Sequence, residues 1–495
     1  MNIAWSLLAI AAAFVTGWFL LRILWPADQH HRDPAAFAVR ICLALGLGQA
    51  VAAVHYLLWR AACSHVGLPY KLTDCLLVPI VAWLAAHLAQ RMWPAERNES
   101  EEVAPLPSPP RLCVGILLIV TALVASAALC ICLAQTCDKP LGEWDGWAIW
   151  NLKARFMFRG GADWTGMFSR HIWFSHPDYP LFIPASVARF WTYLQGETTV
   201  VPQLVSVAFA TLVVGLLFAS LAWLRGLVPA CLGTLLLVSY EPFLVYGGAQ
   251  MSDIPLSFYV LAAVVAVAIA GRLLVLSGVL IGCALIVKNE AQPILLALLV
   301  GLFVVPPSGG PRSRLVVPPS GGPRNRLKAV LRTLLGATPF LLVVAAQKLF
   351  FAGASYLVAD QPSAGAFLHK IIDPARHRTI IEFLVTWNFG FHLWHPFWRI
   401  PLAIPLPDQP SLLLLLAIPI VCGLRPDPRD RPAGLTVLIA VALTFILYYA
   451  VFLVMPYDLR NLMESFPRVQ LHFLPALIFA VLLLTANPAA CSRDR

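Results

Sequence analysis

The chain of 495 residues is 59% hydrophobic and 12% charged, and its formal net charge at pH 7 is +10. Because a soluble domain carries about 25% charged residues, this composition excludes a soluble globular protein and predicts an all-α polytopic membrane protein. The excess Lys and Arg lies in short loops, as the positive-inside rule expects, so we expect no nucleic-acid partner.

Apolar runs near the length that crosses a bilayer, about 20 residues, recur along the chain. They predict about thirteen transmembrane helices. These lie at 3–25, 36–59, 74–92, 112–135, 200–224, 228–246, 254–271, 273–287, 291–305, 330–351, 409–424, 434–455 and 467–486.

Pro-rich connectors divide the predicted helices into groups. The polar stretch 94–111 ends an N-terminal group of three helices with its cytosolic connector, residues 1–111, and a main module follows at 112–487. A duplicated unit, VVPPSGGPRSRL and VVPPSGGPRNRL, predicts a flexible cytosolic linker over 304–328 because its Pro and Gly cannot build a core. Residues 488–495 form a predicted cytosolic tail.

The orientation of the chain follows from its basic loops. Segments 306–332 and 425–431 are rich in Arg, which places them in the cytoplasm. The remaining long loops then share the extracytoplasmic face of a plasma membrane, such as the bacterial inner membrane. These outer loops are 136–199, 247–253, 352–408 and 456–466, and they hold nearly all other ionisable groups.

The first outer loop contains a predicted helix that lies in the membrane interface. Its apolar residues recur at intervals of three and four, which indicates one aromatic face. They are Trp147, Trp150, Ala154 and Phe158. Lys153 and Arg155 are predicted to lie off this face. Glu143 and Asp145 stand at the helix start, where the dipole stabilises carboxylates, although Asp145 could serve only as an N-cap.

A second segment of the same loop, HPDYP at 176–180, is predicted to be rigid because each proline fixes its own backbone and restrains the residue before it. It presents His176 and Asp178 to a site, or it is simply an interfacial turn. The amphipathic stretch 181–195 follows, and Arg189 makes it too polar to be predicted as a transmembrane span.

Further ionisable residues stand at the ends of later spans. Asp253 begins one of them, and Lys288 and Glu290 interrupt an apolar run where uncompensated charge is expensive. Lys288 and Glu290 could form a purely structural pair. In the last outer loop Arg460 and Arg468 could each bind a phosphate through a planar guanidinium, or pair with Asp458 or Glu464.

In order and spacing, these features resemble the GT-C superfamily of membrane glycosyltransferases over residues 112–487. The likeness is strongest to the protein O-mannosyltransferase and lipid A aminoarabinose transferase branch. The motifs that carry it are Asp145, Ala154-Arg155, Gly161-Ala162-Asp163-Trp164, His176-Pro177-Asp178-Tyr179-Pro180-Leu181, Asp253-Ile254-Pro255-Leu256, Gly278, Gly282, Lys288, Ser465-Phe466-Pro467-Arg468 and Pro475. Glu143-Trp144-Asp145 replaces the paired acidic dipeptide of the family, and the three N-terminal helices lie outside its core pattern.

The resemblance implies inverting transfer of a sugar from a polyprenyl-phosphate donor to a lipid, glycan or protein acceptor, with membrane lipid around the site. It implies a general base, Asp145 or else Glu143. The residues expected to bind the donor phosphate are Lys288, Arg468, Arg460 and His176. Those expected to bind substrate are Asp178, Tyr179, Asp253, Glu290, Trp147 and Trp150. The sequence requires no cofactor; a divalent metal ion is compatible with it, although no ligand set demands one.

A second class of function is a secondary transporter or flippase for a lipid-linked sugar or an organic anion. Transporters contain helices that are broken near the membrane midplane, and the interruption at 288–290 fits that pattern. No second copy of the pattern is evident, and the ionisable groups gather at one face. A third possibility is a member that has lost activity and serves as a structural partner.

Overall fold

The computed structural model describes residues 3–25, 33–63, 67–92, 111–269, 273–305, 323–352, 364–389, 391–394, 401–407, 410–424, 430–455 and 459–486. In these ranges the chain is almost entirely helical, in agreement with the all-α prediction. The exception is a short antiparallel hairpin of β1 (Phe391–Trp394) and β2 (Pro401–Pro407), which lies within the predicted outer loop 352–408.

The helices are numbered in chain order. The first ten are α1 (Ile3–Leu24), α2 (Pro34–Leu58), α3 (Tyr70–Leu72), α4 (Val78–Met92), α5 (Arg111–Asp138), α6 (Leu152–Arg159), α7 (Phe182–Leu194), α8 (Val200–Arg225), α9 (Leu227–Val238) and α10 (Glu241–Gly247). The others are α11 (Asp253–Ile269), α12 (Leu274–Leu285), α13 (Ala291–Val304), α14 (Pro323–Gln347), α15 (Ala364–Ile372), α16 (Pro374–Phe389), α17 (Pro410–Cys422), α18 (Arg431–Val454), α19 (Leu459–Leu471) and α20 (Leu474–Leu484).

Among the described residues, seven helices are long and apolar enough to cross a membrane, or up to nine if two bent pairs each count as one span. The protein is therefore a polytopic membrane protein. The predicted total of about thirteen includes α11, α12 and α13, which have 17, 12 and 14 residues. At 1.5 Å per residue these helices are roughly 18–26 Å long, less than the hydrocarbon core of about 30 Å.

Two ends of the bundle can be told apart along α8. Near its start, Gln203 Nε2 donates to the carbonyl of Thr136 at 2.9 Å. At its last residue, Arg225 lies 3.6 Å from the carboxylate of Asp430, at the start of α18. These contacts are about 33 Å apart along the helix axis. The loop after α5 and the loop before α18 therefore lie at opposite ends of the bundle.

The N-terminal helices are fastened to the main module by a buried ion pair. Arg189, which is fully buried on α7, donates from Nε and Nη2 to Asp74 at 3.0 and 2.7 Å. Tyr193 donates to the same carboxylate at 2.7 Å, and His55 Nδ1 lies 3.2 Å from its other oxygen. The polarity of 181–195 is thus explained, because its arginine points to an acidic partner inside the protein and α7 is buried along most of its length.

Helices α12 and α14 make the closest helix contact near the site. A Cβ on Gly278 would lie 2.0 Å from the carbonyl oxygen of Thr333, and one on Gly336 would lie 2.1 Å from that of Val275. Small residues let the two backbones touch, as is common between membrane helices. This contact holds the first half of α12, the helix that leads to Lys288, against α14.

Candidate functional site

The segment before α6 is held against the loop between α10 and α11. Glu143 N donates to the carbonyl of Ala249 at 3.2 Å, and Asn151 Nδ2 donates to Gln250 Oε1 at 2.8 Å. A Cβ on Gly146 would lie only 2.8 Å from the Ala249 carbonyl, so this close approach requires glycine. The contacts place Asp145 beside the start of α11.

Asp145 forms an ion pair with an arginine from near the C-terminal end of the main module, residues 112–487. Arg468 on α19 donates from Nη1 to Asp145 Oδ2, and the two side chains are 21% and 23% exposed. Within the described part of the chain, the Asp145 carboxylate makes no capping hydrogen bond to its own helix. Asp145 therefore stands at the N-cap position of the π-helix Gly146–Asn151, but its carboxylate bonds to Arg468 and not to the helix.

Glu143, the other predicted base, points elsewhere. It pairs with Lys139, four residues earlier in the chain, and both side chains are substantially exposed. Arg468 pairs with Asp145 and lies 3.5 Å from Met251 Sδ, so its described partners include neither acidic alternative from its own loop. The geometry favours Asp145 over Glu143 as the carboxylate of the site.

A charged cluster lies beside this pair. We define it as Asp253, Lys288, Glu290, His472 and Tyr448. Lys288 Nζ lies 2.9 Å from Asp253 Oδ1 and 3.2 Å from Glu290 Oε1. His472 Nε2 lies 2.8 Å from the same Asp253 oxygen, and its Nδ1 lies 3.1 Å from the Tyr448 hydroxyl. Arg468 is within electrostatic reach of Asp253 and Lys288. The Lys288 and Glu290 pair thus belongs to a larger network rather than standing alone.

Three helices begin at this cluster. Asp253 is the first residue of α11, Glu290 immediately precedes α13, and His472 lies just before α20. Each helix N-terminus carries the equivalent of about half a positive charge. The cluster contains two cations and three carboxylates when Arg468 and Asp145 are included, so the helix ends help to offset its net negative charge.

The 176–179 turn borders the cluster. Asn289 Nδ2 donates to Asp178 Oδ2 at 2.9 Å, which ties the turn to the segment between α12 and α13. The ring of Tyr179 lies between those of His176 and Trp150, with centroid distances of 4.8 and 5.6 Å. Burial lowers the pKa of His176, against the effect of nearby Asp178, Asp145 and Glu290. The neutral imidazole is therefore favoured at neutral pH.

The predicted aromatic face of the interfacial helix is wrong in part. Trp150 is only 1% exposed and packs in the core, whereas Trp147 is 40% exposed and contacts Trp144, which is 57% exposed. Lys153, predicted to lie off the aromatic face, is completely buried. The physical reason is that residues Gly146–Asn151 form a π-helix, whose wider turn rotates the following residues away from a 3.6-residue pattern. Trp150 therefore cannot offer an open face to a sugar or a lipid.

Several buried polar atoms around the site have no hydrogen-bond partner among the described residues. They are Ser175 Oγ, Ser252 Oγ, Asn289 Oδ1 and Glu290 Oε2. Buried polar atoms are nearly always bonded in native proteins, so a group of unpaired ones indicates a place for a polar ligand or water. Ser175, Ser252 and Asn289 are sequence neighbours of His176, Asp253 and Lys288, and Glu290 pairs with Lys288 through its other oxygen.

Sequence reasoning did not assign a site role to Tyr448, His472 or Asn289. Tyr448 lies within an apolar span and gives no signal, whereas His472 stands close to Arg468 in the sequence. The predicted site residue Arg460 lies on α19, but its side chain is outside the described residues. In the described ranges, no group of three or more His, Cys, Asp or Glu side chains is arranged to hold a metal ion.

No protein-family model, no curated protein and no solved structure matches the chain. The class that the fold and the site define is a polytopic membrane protein with a charged site at one end of its bundle. The resemblance to the GT-C superfamily rests on the sequence motifs.

Proposed function

We propose that the protein is an integral-membrane glycosyltransferase that moves a sugar from a polyprenyl-phosphate donor to an acceptor hydroxyl at the extracytoplasmic face. One observation carries the proposal. The Asp145 side chain is partly exposed, makes no helix-capping hydrogen bond and forms an ion pair with Arg468 beside the charged cluster. A base and the cations that a departing phosphate requires are therefore neighbours.

In the proposed reaction, Asp145 accepts the proton of the acceptor hydroxyl as its oxygen forms a bond to the anomeric carbon. The bond from that carbon to the phosphate oxygen breaks on the opposite side, and the phosphate leaves with the electron pair. Arg468 and Lys288 offset the charge that develops on the phosphate. Attack from the opposite face inverts the configuration of the anomeric carbon.

The ion pair between Asp145 and Arg468 has a consequence for this order of events. The Asp145 oxygen that accepts from Arg468 is engaged, so it is not free to accept a proton from the acceptor hydroxyl. A donor phosphate competes for the same guanidinium, to which it can bind through two oxygens. We propose that donor binding draws Arg468 from Asp145 and so frees the carboxylate to accept the proton of the acceptor hydroxyl only when substrate is present.

The sugar is proposed to lie against the unpaired polar atoms of Ser252, Asn289 and Glu290, with Asp178 and His176 at its border. Hydroxyl groups can both donate and accept, so they suit a pocket that offers side-chain hydroxyl, amide and carboxylate atoms. The exposed pair of Trp144 and Trp147 lies beside Asp145 and faces the membrane interface or the acceptor.

The test compares Asp145→Asn with Glu143→Gln in membranes supplied with a radiolabelled polyprenyl-phosphate sugar. Transfer should fall by about 10²–10⁴-fold in the first variant and remain near the wild-type rate in the second. Mass spectrometry of the labelled acceptor establishes covalent transfer. Wild-type rates in a normally inserted Asp145→Asn protein would refute the assignment of the base.

A secondary transporter for a lipid-linked sugar or an organic anion is the second candidate, because broken helices meet near the cluster. The helix pair 227–238 and 241–247 bends by 70°, and the pair 465–471 and 474–484 bends by 46°. Helix ends that point at an ionic site are typical of transporters. Tyr448 of the cluster, however, lies about 9 Å from the end of α18, and this position near one face favours the enzyme. Uptake of label into vesicles without a covalent product would support the transporter.

A further inference from the structure

Lys153 takes no part in the chemistry proposed above, yet it is among the largest fully buried side chains of the protein. A buried ammonium group is costly unless it is hydrogen-bonded, so its position calls for a partner. Lys153 Nζ donates to the carbonyl oxygen of His176 at 2.6 Å and lies 6.0 Å from the ring centroid of Tyr179. The cation on α6 is thus directed at the 176–179 turn.

The accepting carbonyl belongs to a residue in an uncommon backbone conformation. His176 has a φ of +48°, in the left-handed region that residues other than glycine seldom adopt. Its carbonyl also accepts the N–H of Tyr179 at 2.9 Å, and this closes the turn around Pro177. Two donors therefore meet on one oxygen and stabilise a conformation that the backbone alone does not favour.

The turn in its observed position is joined to the site. Asp178 accepts a hydrogen bond from Asn289, which stands between Lys288 and Glu290 in the sequence. On its other side, the carbonyl of Tyr179 accepts from Gln347 Nε2 at 2.8 Å. A movement of the His176 carbonyl would therefore shift Asp178 and the segment that carries Lys288.

We propose that Lys153 is a positioning residue, whose ammonium group holds the 176–179 turn in the arrangement that places His176 and Asp178 at the charged cluster. The effect on turnover rests on the proposed function. The effect on the turn itself does not, so the two can be tested separately.

The protonation state of Lys153 gives this proposal a signature. Burial lowers the pKa of Lys153 to about 7, and the negative charge of Asp178 opposes the shift. Opening of the turn alone withdraws the His176 carbonyl but leaves Lys153 buried on α6, so this local equilibrium depends on the strength of the hydrogen bond and not on hydration of the ammonium group. A charge-assisted hydrogen bond is roughly twice as strong as a neutral one, so the turn should loosen as the pH rises above about 7.

The charged groups on the elements packed against α6 are few. On α7, Arg189 is bound to Asp74, and in the segment Gly161–Phe168 the ionisable residue Asp163 is exposed. The π-helix Gly146–Asn151 has no ionisable side chain in its sequence. The negative charge of Asp178 raises the pKa of Lys153. Lys153 in turn lowers the pKa of the neighbouring His176 imidazole.

The direct test is amide hydrogen exchange of peptides covering 173–182 in purified full-length protein, at pH 6 and pH 8.5, after correction for intrinsic exchange rates. Wild-type protection of the turn should fall about tenfold at the higher pH, as expected from the loss of a charge-assisted hydrogen bond. Lys153→Met should be poorly protected at both values, and Lys153→Arg, whose guanidinium stays charged, should be protected at both.

Arg159→Gln is the matched control, because Arg159 stands on the same helix with a side chain that is 65% exposed. It should retain the wild-type exchange pattern at both pH values. Equal protection of the turn in wild type and Lys153→Met would overturn the proposal. If Lys153→Met does not fold, pH-independent protection in the wild type would overturn it equally.

The second arm measures transfer from the radiolabelled polyprenyl-phosphate sugar over the same pH range. The wild-type rate should decline above about pH 7, and Lys153→Arg should lose that decline while keeping activity at pH 6. A purely packing role would alter the rate without altering the pH profile. If exchange follows the prediction but no variant transfers sugar, the positioning role stands and the proposed function fails.

Discussion

Arg468 and Asp145 are 323 positions apart in the sequence, and their side chains form an ion pair at the rim of the charged cluster. The pair connects the start of the first long loop with the last bent pair of helices. It is only partly buried, so a ligand that enters the site can reach both groups. We therefore expect the two side chains to act as a unit.

The first prediction concerns this unit. Arg468→Gln should lower the transfer rate by about 10²–10³-fold, as the loss of one cation at a developing charge usually does. The double variant with Asp145→Asn should be little worse than the more damaging single variant, because groups that act together give non-additive losses. Initial rates in membranes of equal protein content provide the measurement.

Arg378→Gln serves as a control for this cycle, since Arg378 is an exposed arginine paired with Glu382 on α16. Its transfer rate should match that of the wild type. Losses that add on a logarithmic scale in the Asp145 and Arg468 double variant would show that the two residues act independently.

The second prediction concerns the buried pair of Asp74 and Arg189. Removing one partner leaves an uncompensated buried charge, so Asp74→Asn or Arg189→Met should each lower the free energy of unfolding by about 3–5 kcal/mol. The double variant Asp74→Leu with Arg189→Met should be more stable than either single variant. Thermal unfolding midpoints in detergent would measure these differences.

The rate of transfer per folded molecule provides the complementary readout for this pair. Neither residue contacts the charged cluster in the described structure, so folded variants should retain most of their activity at low temperature. A double variant less stable than both single variants would show that the single variants do not lose stability through an unpaired buried charge.

The third prediction concerns the contact of α12 with α14. Gly278→Ala would place a methyl carbon 2.0 Å from the backbone oxygen of Thr333, so the helices must separate. We expect a lower yield of folded protein and a lower transfer rate, since α12 leads directly to Lys288. Gel filtration of a fluorescent fusion would report the yield.

The matched control is Gly115→Ala on α5, where an added Cβ meets nothing within 4 Å. Alanine is favoured over glycine inside a helix by about 1 kcal/mol, so this variant should be at least as stable as the wild type. Normal folding of Gly278→Ala would show that the α12 and α14 contact is adjustable.

The fourth prediction concerns pH and stability through Lys153. Its pKa is about 7 in the fold, against 10.5 for an ordinary lysine. Global unfolding, unlike opening of the 176–179 turn alone, transfers Lys153 to water. Between these two pKa values the unfolded chain binds more protons than the native protein, so the contribution of Lys153 to the free energy of unfolding increases with pH and is lost as pH falls through 7. The wild type should therefore gain relative to Lys153→Met, by at most about 1.4 kcal/mol per pH unit.

Unfolding midpoints of the two proteins, measured in detergent from pH 6 to pH 10, would test this sign. The comparison removes the contributions of other groups, because both proteins share them. A difference in midpoint that stays constant over the whole range would contradict a depressed pKa for Lys153.

The membrane class could be predicted from the sequence because it depends on composition and on the lengths of apolar runs. The number of spans could not be predicted in the same way. The short apolar helices α12 and α13 are separated by a segment that contains Lys288, and Lys288 is stabilised by Asp253 from α11. An apolar run does not reveal whether its polar interruption is paired. That information lies in contacts between distant parts of the chain.

The candidate site shows a similar division. Asp253, Lys288 and Arg468 could be chosen as candidates from the sequence because ionisable groups at the ends of apolar runs are costly without a function. Asp145 is a candidate because it stands at the start of the predicted interfacial helix and matches the acidic motif of the family that the chain resembles. Their partners could not be assigned: Arg468 had two carboxylates nearer in sequence than Asp145. Lys153 was misplaced because the sequence pattern assumes 3.6 residues per turn, and the π-helix Gly146–Asn151 departs from it.

The buried pair of Asp74 and Arg189 also constrains how the chain is made. The two residues are 115 positions apart, and synthesis at about 5–20 residues per second separates them by roughly 6–23 seconds. During that interval the first helices enter the membrane with a carboxylate whose arginine does not yet exist. His55 is only 19 positions away and lies 3.2 Å from the same carboxylate, so it is the partner that Asp74 can bind until α7 arrives.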